Sequence, residues 1–135
     1  MGKAIALDTC IFIYHLEKNH VYLEKTRRIF RDIEAGVSSG IFSSIGLLEL
    51  LAGPKQMGRK HLALEYKELL KEFPNLLLAD ISEDVIDVAS DFRAAYKILI
   101  PDAIHLATAY VNDASYFLTN DRNLKKIKEV RVELL

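Results

Sequence analysis

The sequence predicts an α/β domain with a mostly parallel five-stranded sheet and helices on both of its faces. Short apolar runs alternate along the chain with longer segments of helical periodicity, which is typical of parallel sheets. The chain has 135 residues, half of them apolar, so it is long enough to bury one substantial core. Its 6 Gly and 3 Pro exclude collagen-like and proline-rich classes. We therefore expect residues 1–135 to form a single domain.

Five apolar runs bounded by turn or capping residues are predicted to be strands. They are Lys3–Leu7, about Gly40–Ser43, Leu76–Ile81, Ser115–Thr119 and Val130–Leu134.

Helical periodicity and end signals predict the intervening helices. Tyr22–Ala35 is followed by Gly36, a residue type that commonly ends helices. Ile45–Ala52 is expected to end at Gly53-Pro54, because proline disfavours a continuing helix. The other predicted helices begin near Ile11 or span His61–Phe73, Ser82 to about Tyr96, Pro101–Val111 and Asp121–Lys126.

Charge and cysteine content bear on the compartment and the partners. The chain carries 18 Lys and Arg against 19 Asp and Glu, whereas dedicated nucleic-acid binders usually have a basic surplus. The single Cys10 cannot form an internal disulfide, and no Cys or His spacing resembles a zinc site. Because the N-terminus shows no membrane span or targeting signal, we expect a cytoplasmic protein.

Four acidic residues fall where a parallel sheet forms its binding sites, beside the carboxyl ends of the strands. Asp8 and Asp121 each follow a predicted strand, and Asp102 lies in the first turn of a helix. Glu49 interrupts an otherwise apolar helical segment. Helix capping explains each aspartate taken alone, and Glu49 could instead reach solvent or pair with an arginine. Capping does not explain why the acids would meet at one end of one sheet.

Crowded carboxylates suggest a function for this end of the sheet. They repel one another, and a hard divalent cation with oxygen ligands relieves that repulsion. Mg²⁺ or Mn²⁺ fits an all-carboxylate set better than zinc does. Such ions activate water and stabilise charge on a phosphate, so the residues favour metal-assisted phosphodiester hydrolysis as a hypothesis.

Four segments resemble the PIN domain, and most closely its small VapC-type toxin ribonucleases. The segments are Ala4–Thr9, Ser43–Gly53, Ile100–Ala109 and Phe117–Asp121. The resemblance implies a three-layer α/β/α sandwich and a Mg²⁺- or Mn²⁺-dependent endoribonuclease that cleaves RNA. It also implies a homodimer and a cognate antitoxin that inserts a segment near the site.

The resemblance assigns roles residue by residue. Asp8, Glu49, Asp102 and Asp121 match the metal-binding acids of the family, and Thr9, Ser44 and Thr119 match hydroxyl positions that support the site. Gly46 departs from the pattern, since many relatives have a threonine there, which weakens polar support from that helix.

Several residues and one alternative function remain open from the sequence. Arg122, Lys125 and Lys126 adjoin Asp121 and are candidates for RNA phosphate contacts, although a solvated helix face explains them nearly as well. His105 is interpreted as structural, and Cys10 as a small buried hydrophobe. The alternative function is a PIN-like binding or scaffold module with an unused acidic site.

Overall fold

The computed structural model describes residues 2–135 and confirms the α/β class. Its strands are β1 Ala4–Leu7, β2 Ser39–Ser43, β3 Leu76–Ala79, β4 Tyr116–Thr119 and β5 Val132–Leu134. Its helices are α1 Thr9–Leu16, α2 Leu23–Glu34, α3 Ser44–Gln56, α4 Lys60–Glu72, α5 Glu83–Ala95 and α6 Ile100–Val111, with a short 3₁₀ helix at Arg122–Lys126.

The five strands form one sheet in the order β3-β2-β1-β4-β5, with every pairing parallel. Strand β1 is central and pairs with β2 on one side and with β4 on the other. The carboxyl ends of β1 and β4 are in register, since Leu7 lies opposite Leu118. Residues that follow these two strands therefore emerge side by side.

Two apolar clusters cover the two faces of the sheet, because successive side chains of a strand point to opposite faces. Ala6 and Ile41 face the cluster that includes residues of α5 and α6. Ile5 and Leu7 face the cluster that includes residues of α1, α2, α3 and α4. Burial on both faces explains why the strands read as short apolar runs in the sequence.

The predicted end of α3 at Gly53-Pro54 is wrong, because the helix continues to Gln56 with Pro54 in its last turn. A proline there removes one N–H donor, and the preceding turn is anchored by Leu50, whose side chain is buried in the core. The chain leaves the helix at Gly58, which has a φ of +72° that suits glycine. Gly58, rather than Gly53-Pro54, therefore marks the end of helix α3.

Within residues 2–135, none of the helices combines the length and the apolar character needed to cross a membrane.

Candidate functional site

All four sequence-predicted acids lie at the carboxyl end of the sheet. Asp8 directly follows β1, Asp121 lies just beyond β4, and Asp102 is in the first turn of α6. Glu49 lies in the second turn of α3, which begins where β2 ends. Burial, followed by the negative charges of Asp8, Asp121 and Glu49, raises the pKa of Asp102 to about 6. These carboxylates are therefore close enough to repel one another.

Asp8 is held rigidly by two hydrogen bonds, one to each carboxylate oxygen. The backbone N–H of Thr9 donates to Oδ1 at 2.8 Å, and the hydroxyl of Thr119 donates to Oδ2 at 2.7 Å. The first bond caps α1, so the capping interpretation of Asp8 is correct and compatible with a place in the site.

Thr119 connects Asp8 to Asp121. Its side chain is fully buried, and its hydroxyl oxygen accepts a hydrogen bond from the backbone N–H of Asp121 at 3.1 Å while donating to Asp8. Asp121 in turn caps the 3₁₀ helix by accepting from the N–H of Asn123 at 3.0 Å. One buried hydroxyl thus sets the relative position of the two aspartates.

Glu49 is paired with His105, a contact that the sequence interpretation of His105 missed. The Nε2 atom of His105 lies 3.0 Å from Oε1 of Glu49, and the Thr9 hydroxyl donates to the same oxygen at 2.9 Å. An ionised carboxylate only accepts hydrogen bonds, so Nε2 carries the proton. The hydrogen bond from His105 is the main cause that lowers the pKa of Glu49.

The ring of His105 packs in the core, while its Nε2 atom makes polar contacts with the acids. It is 2 % exposed, and its ring lies between those of Phe42 and Phe117, with each centroid 6.1 Å away. Its Nε2 also approaches Oδ1 of Asp8 at 3.8 Å. The available sequence signal was its spacing: three residues after Asp102, it lies on nearly the same face of α6.

The packing of His105 also explains Gly46, the residue that departs from the family pattern. A Cβ atom at position 46 would lie 2.3 Å from Cε1 of Phe42 and 2.9 Å from Cε1 of His105. Only glycine leaves room for both rings. His105 therefore supplies polar support to Glu49 in a space that a larger residue at position 46 would fill.

Ser44 does not take the supporting position expected of it. Its hydroxyl donates to the carbonyl oxygen of Ala79 at 2.9 Å, so its contact ties the start of α3 to the end of β3. The expected hydrogen bonds to the acids come instead from Thr9 and Thr119.

Asn120, the residue between Thr119 and Asp121, is hydrogen-bonded to a pair of tyrosines. The Nδ2 atom of Asn120 donates to the hydroxyl oxygens of Tyr14 and Tyr22, at 3.1 Å each. The two tyrosine rings are stacked, with their centroids 4.5 Å apart. Sequence reasoning missed this network because its members lie about 100 residues apart along the chain.

Cys10, interpreted from the sequence as a small buried hydrophobe, is only partly buried in the structure. Burial, with a smaller contribution from the negative charge of Asp8, raises the pKa of its thiol to about 11. The thiolate that would act as a nucleophile or metal ligand is therefore scarce at neutral pH.

Comparison with known proteins identifies the family. The PIN domain model matches residues 5–130, nearly the whole chain. The chain belongs to the PIN domain family. The comparison with curated proteins gives no match.

Solved structures of the same fold include toxin–antitoxin complexes. VapBC2 from Rickettsia felis, bound to a promoter DNA fragment, matches with a TM-score of 0.80 and 20 % identity, covering 97 % of this chain and 98 % of that one. DNA-bound VapBC from Salmonella typhimurium matches with a TM-score of 0.74 and 22 % identity, covering 99 % of this chain and 98 % of that one. A toxin-antitoxin complex from Klebsiella pneumoniae matches with a TM-score of 0.72 and 23 % identity, covering 96 % of this chain and 95 % of that one. The PIN fold predicted from the sequence is thereby confirmed.

The repulsion at Asp102 gives a testable pH dependence of stability in metal-free protein. Its pKa is raised from 3.8 to about 6, so ionised Asp102 destabilises the fold above pH 6, and the penalty fades as the pH falls towards 4. Asp102→Asn is expected to raise the free energy of unfolding at pH 7.5 by about 1 kcal/mol, allowing for screening of this half-buried carboxyl.

Thermal melts in EDTA measure this effect. The midpoint of Asp102→Asn should exceed that of the wild type by about 3 °C at pH 7.5, and the difference should shrink towards pH 4. A variant that melts below the wild type at pH 7.5 would contradict the repulsion.

Proposed function

We propose that the protein is a metal-dependent endoribonuclease that acts as the toxin of a toxin-antitoxin pair. The observation that carries the proposal is the gathering of Asp8, Glu49, Asp102 and Asp121 at the carboxyl end of the sheet, where burial and the charges of the other three acids raise the pKa of Asp102. PIN domains are typically nucleases, and the structural neighbours named above are toxin–antitoxin complexes.

The four acids fit Mg²⁺ or Mn²⁺ by their chemistry. They offer oxygen ligands only, and they repel one another where a cation would neutralise them. As the side chains stand within residues 2–135, no three His, Cys, Asp or Glu groups are arranged to hold one ion. Oxygens of Asp8 and Glu49 accept hydrogen bonds from Thr9, Thr119 and His105, so binding an ion requires some of these side chains to adjust.

The residues of the chain have distinct tasks in the proposed reaction. Asp8, Glu49, Asp102 and Asp121 would hold the ion, which when bound lowers the pKa of a water and offsets charge on the phosphate. Thr119 fixes Asp8 relative to Asp121, and Thr9 orients both Asp8 and Glu49. His105 donates a hydrogen bond to Glu49, which holds that carboxylate in place and lowers its pKa.

An apolar groove beside Glu49 suits the proposed antitoxin partner. It lies between α1, α3 and α4, has a volume of about 250 Å³, and is lined largely by apolar side chains such as Leu16, Met57 and Leu62. Met57 is 72 % exposed, so the groove offers apolar surface to a partner segment. A segment seated there would reach the acids from the Glu49 side. The homodimer remains a prediction of the family resemblance, and the cytoplasmic location remains a prediction from the sequence.

Expression in bacteria, paired with an RNA cleavage assay, tests the proposal. The wild-type protein should arrest growth and, once purified, should cleave RNA with Mn²⁺ but not with EDTA. Asp102→Asn should do neither. A variant as toxic as the wild type, or cleavage that survives EDTA, would contradict the proposed function.

The same growth assay tests the groove. Co-expression of the antitoxin should relieve the arrest caused by the wild type but not that caused by Met57→Glu, since a charge in an apolar interface opposes binding. Equal relief of both would show that the antitoxin does not use this groove.

A further inference from the structure

A second cleft meets the acidic site on the side opposite Glu49. It has a volume of about 740 Å³ and runs between the α5–α6 segment and the 3₁₀ helix. Asp102 and Asp121 belong to its lining, so it opens directly onto the proposed reacting centre. Its lining also includes Arg93, Lys97 and Asn123.

Two cations at this cleft, those of Arg93 and Lys126, donate hydrogen bonds to backbone carbonyl groups. Arg93 donates from Nη1 to the carbonyl oxygen of Ile98 at 2.5 Å, which uses one of the five guanidinium donors. Lys126 donates from Nζ to the carbonyl oxygen of Lys97 at 3.3 Å, which brings a third positive charge to the same segment. Neither bond neutralises a charge, since both acceptors are carbonyl groups.

Of the three basic residues that the sequence nominated for phosphate contacts, Lys126 borders this cleft by its bond to Lys97. Lys125 donates to the carbonyl oxygen of Val132 at 3.0 Å and so secures the 3₁₀ helix to β5. Sequence reasoning could not nominate Arg93 or Lys97, because they lie about 25 residues before Asp121.

The two sides of the acidic site differ in chemistry. The groove on the Glu49 side is lined mainly by apolar residues, whereas the cleft on the Asp121 side combines cations with the amide of Asn123. Cationic and amide groups are the usual partners of phosphate oxygens. Leu99, 70 % exposed in the same cleft, adds an apolar contact for a base or a ribose.

We propose that this cleft binds the RNA strand beside the scissile phosphate, with Lys97 and Arg93 contacting backbone phosphates and Asn123 donating to the same strand. The inference rests on the proposed function and assigns the substrate to one side of the site. Protein and RNA partners then approach from opposite sides of the four acids. Lys97 is a binding residue in this assignment and takes no part in the chemical step.

Lys97 gives the cleanest test, because Lys126 donates to its backbone carbonyl, and Lys97→Gln retains that acceptor. Binding of a fluorescein-labelled single-stranded RNA is measured by anisotropy in Ca²⁺, an ion that also takes oxygen ligands. A gel confirms that the RNA stays intact. Lys97→Gln should weaken binding about fivefold and lower the slope of log K against log salt by about 0.7. Lys97→Arg should restore both values.

Two other variants, each of which removes one positive charge as Lys97→Gln does, serve as controls. Lys71→Gln changes an exposed lysine of α4 outside the cleft and should bind RNA as the wild type does. Arg59→Gln removes the arginine of the apolar groove and should also be neutral. The assignment is overturned if Lys97→Gln behaves like Lys71→Gln, if Arg59→Gln alone weakens binding, or if the wild type does not bind the RNA.

Measuring RNA cleavage in Mn²⁺ distinguishes a failure of the ribonuclease proposal from a failure of the cleft proposal. If Lys97→Gln weakens binding but the wild type never cleaves RNA, the cleft assignment stands and the ribonuclease function fails. If the wild type cleaves and the KM of Lys97→Gln is unchanged, the ribonuclease function stands and the cleft assignment fails. When both hold, Lys97→Gln raises the KM about fivefold with little change in kcat.

Discussion

Asp8→Asn is expected to lower the rate of Mn²⁺-dependent RNA cleavage by about a hundredfold or more, with little change in the fold. Asp8 is held at both carboxylate oxygens, since each of them accepts a hydrogen bond. Asparagine has nearly the same shape and keeps an acceptor for the Thr9 N–H, but it has no negative charge. The loss of rate should therefore reflect the missing charge at the site.

A matched substitution separates this effect from a general loss of charge. Asp113 lies just after α6, at the opposite end of the sheet, with a positive φ of 53° that asparagine also tolerates. Asp113→Asn should cleave RNA at the wild-type rate. Thermal melts of both variants should lie within a few degrees of the wild type. Cleavage by Asp8→Asn at the Asp113→Asn rate would show that the carboxylate is not needed.

Gly46→Ala is expected to destabilise the protein by about 3 kcal/mol, although alanine normally stabilises a helix relative to glycine by about 1 kcal/mol. The added Cβ would lie 2.3 and 2.4 Å from two ring atoms of Phe42 and 2.9 Å from Cε1 of His105. Both rings are buried, at 0 % and 2 % exposure, so neither can swing into solvent. The thermal midpoint should fall by about 10 °C.

Another glycine of the same helix provides the control. Apart from its chain neighbours and the backbone of its own helix, a Cβ at Gly53 would meet no heavy atom within 4 Å. Gly53→Ala should therefore leave the midpoint within about 2 °C of the wild type, with Pro54 next in the chain offsetting the gain in helix propensity. If Gly46→Ala were as stable as Gly53→Ala, the close packing of α3 against Phe42 and His105 would be refuted.

The fold could be predicted closely from the sequence because its signals are local. Buried strands give apolar runs such as Lys3–Leu7, and Ser82 predicted the start of α5, where its hydroxyl caps the N–H of Val85 at 3.2 Å. The end of α3 could not be predicted, because burial of Leu50 outweighed a local helix-breaking signal. Tertiary contacts decide such cases, and a single sequence does not display them.

The acids of the candidate site could be located because they follow strands or open helices. The hydrogen-bond partners of these acids and of their neighbours could not be located, since each contact joins distant parts of the chain. His105 pairs with Glu49 across 56 positions, and Asn120 reaches Tyr14 across 106. The side proposed for the substrate was also hidden, because Lys97 and Asp121 line one cleft only when the α5–α6 segment packs beside the 3₁₀ helix.

Anomalous X-ray diffraction from crystals soaked in Mn²⁺ would show whether the four acids share a metal ion. We expect a manganese peak among Asp8, Asp102 and Asp121, with Glu49 contributing, and the loss of that peak in Asp8→Asn. A wild-type crystal with no manganese at these acids, or with a peak unchanged by Asp8→Asn, would contradict the assignment of the metal site.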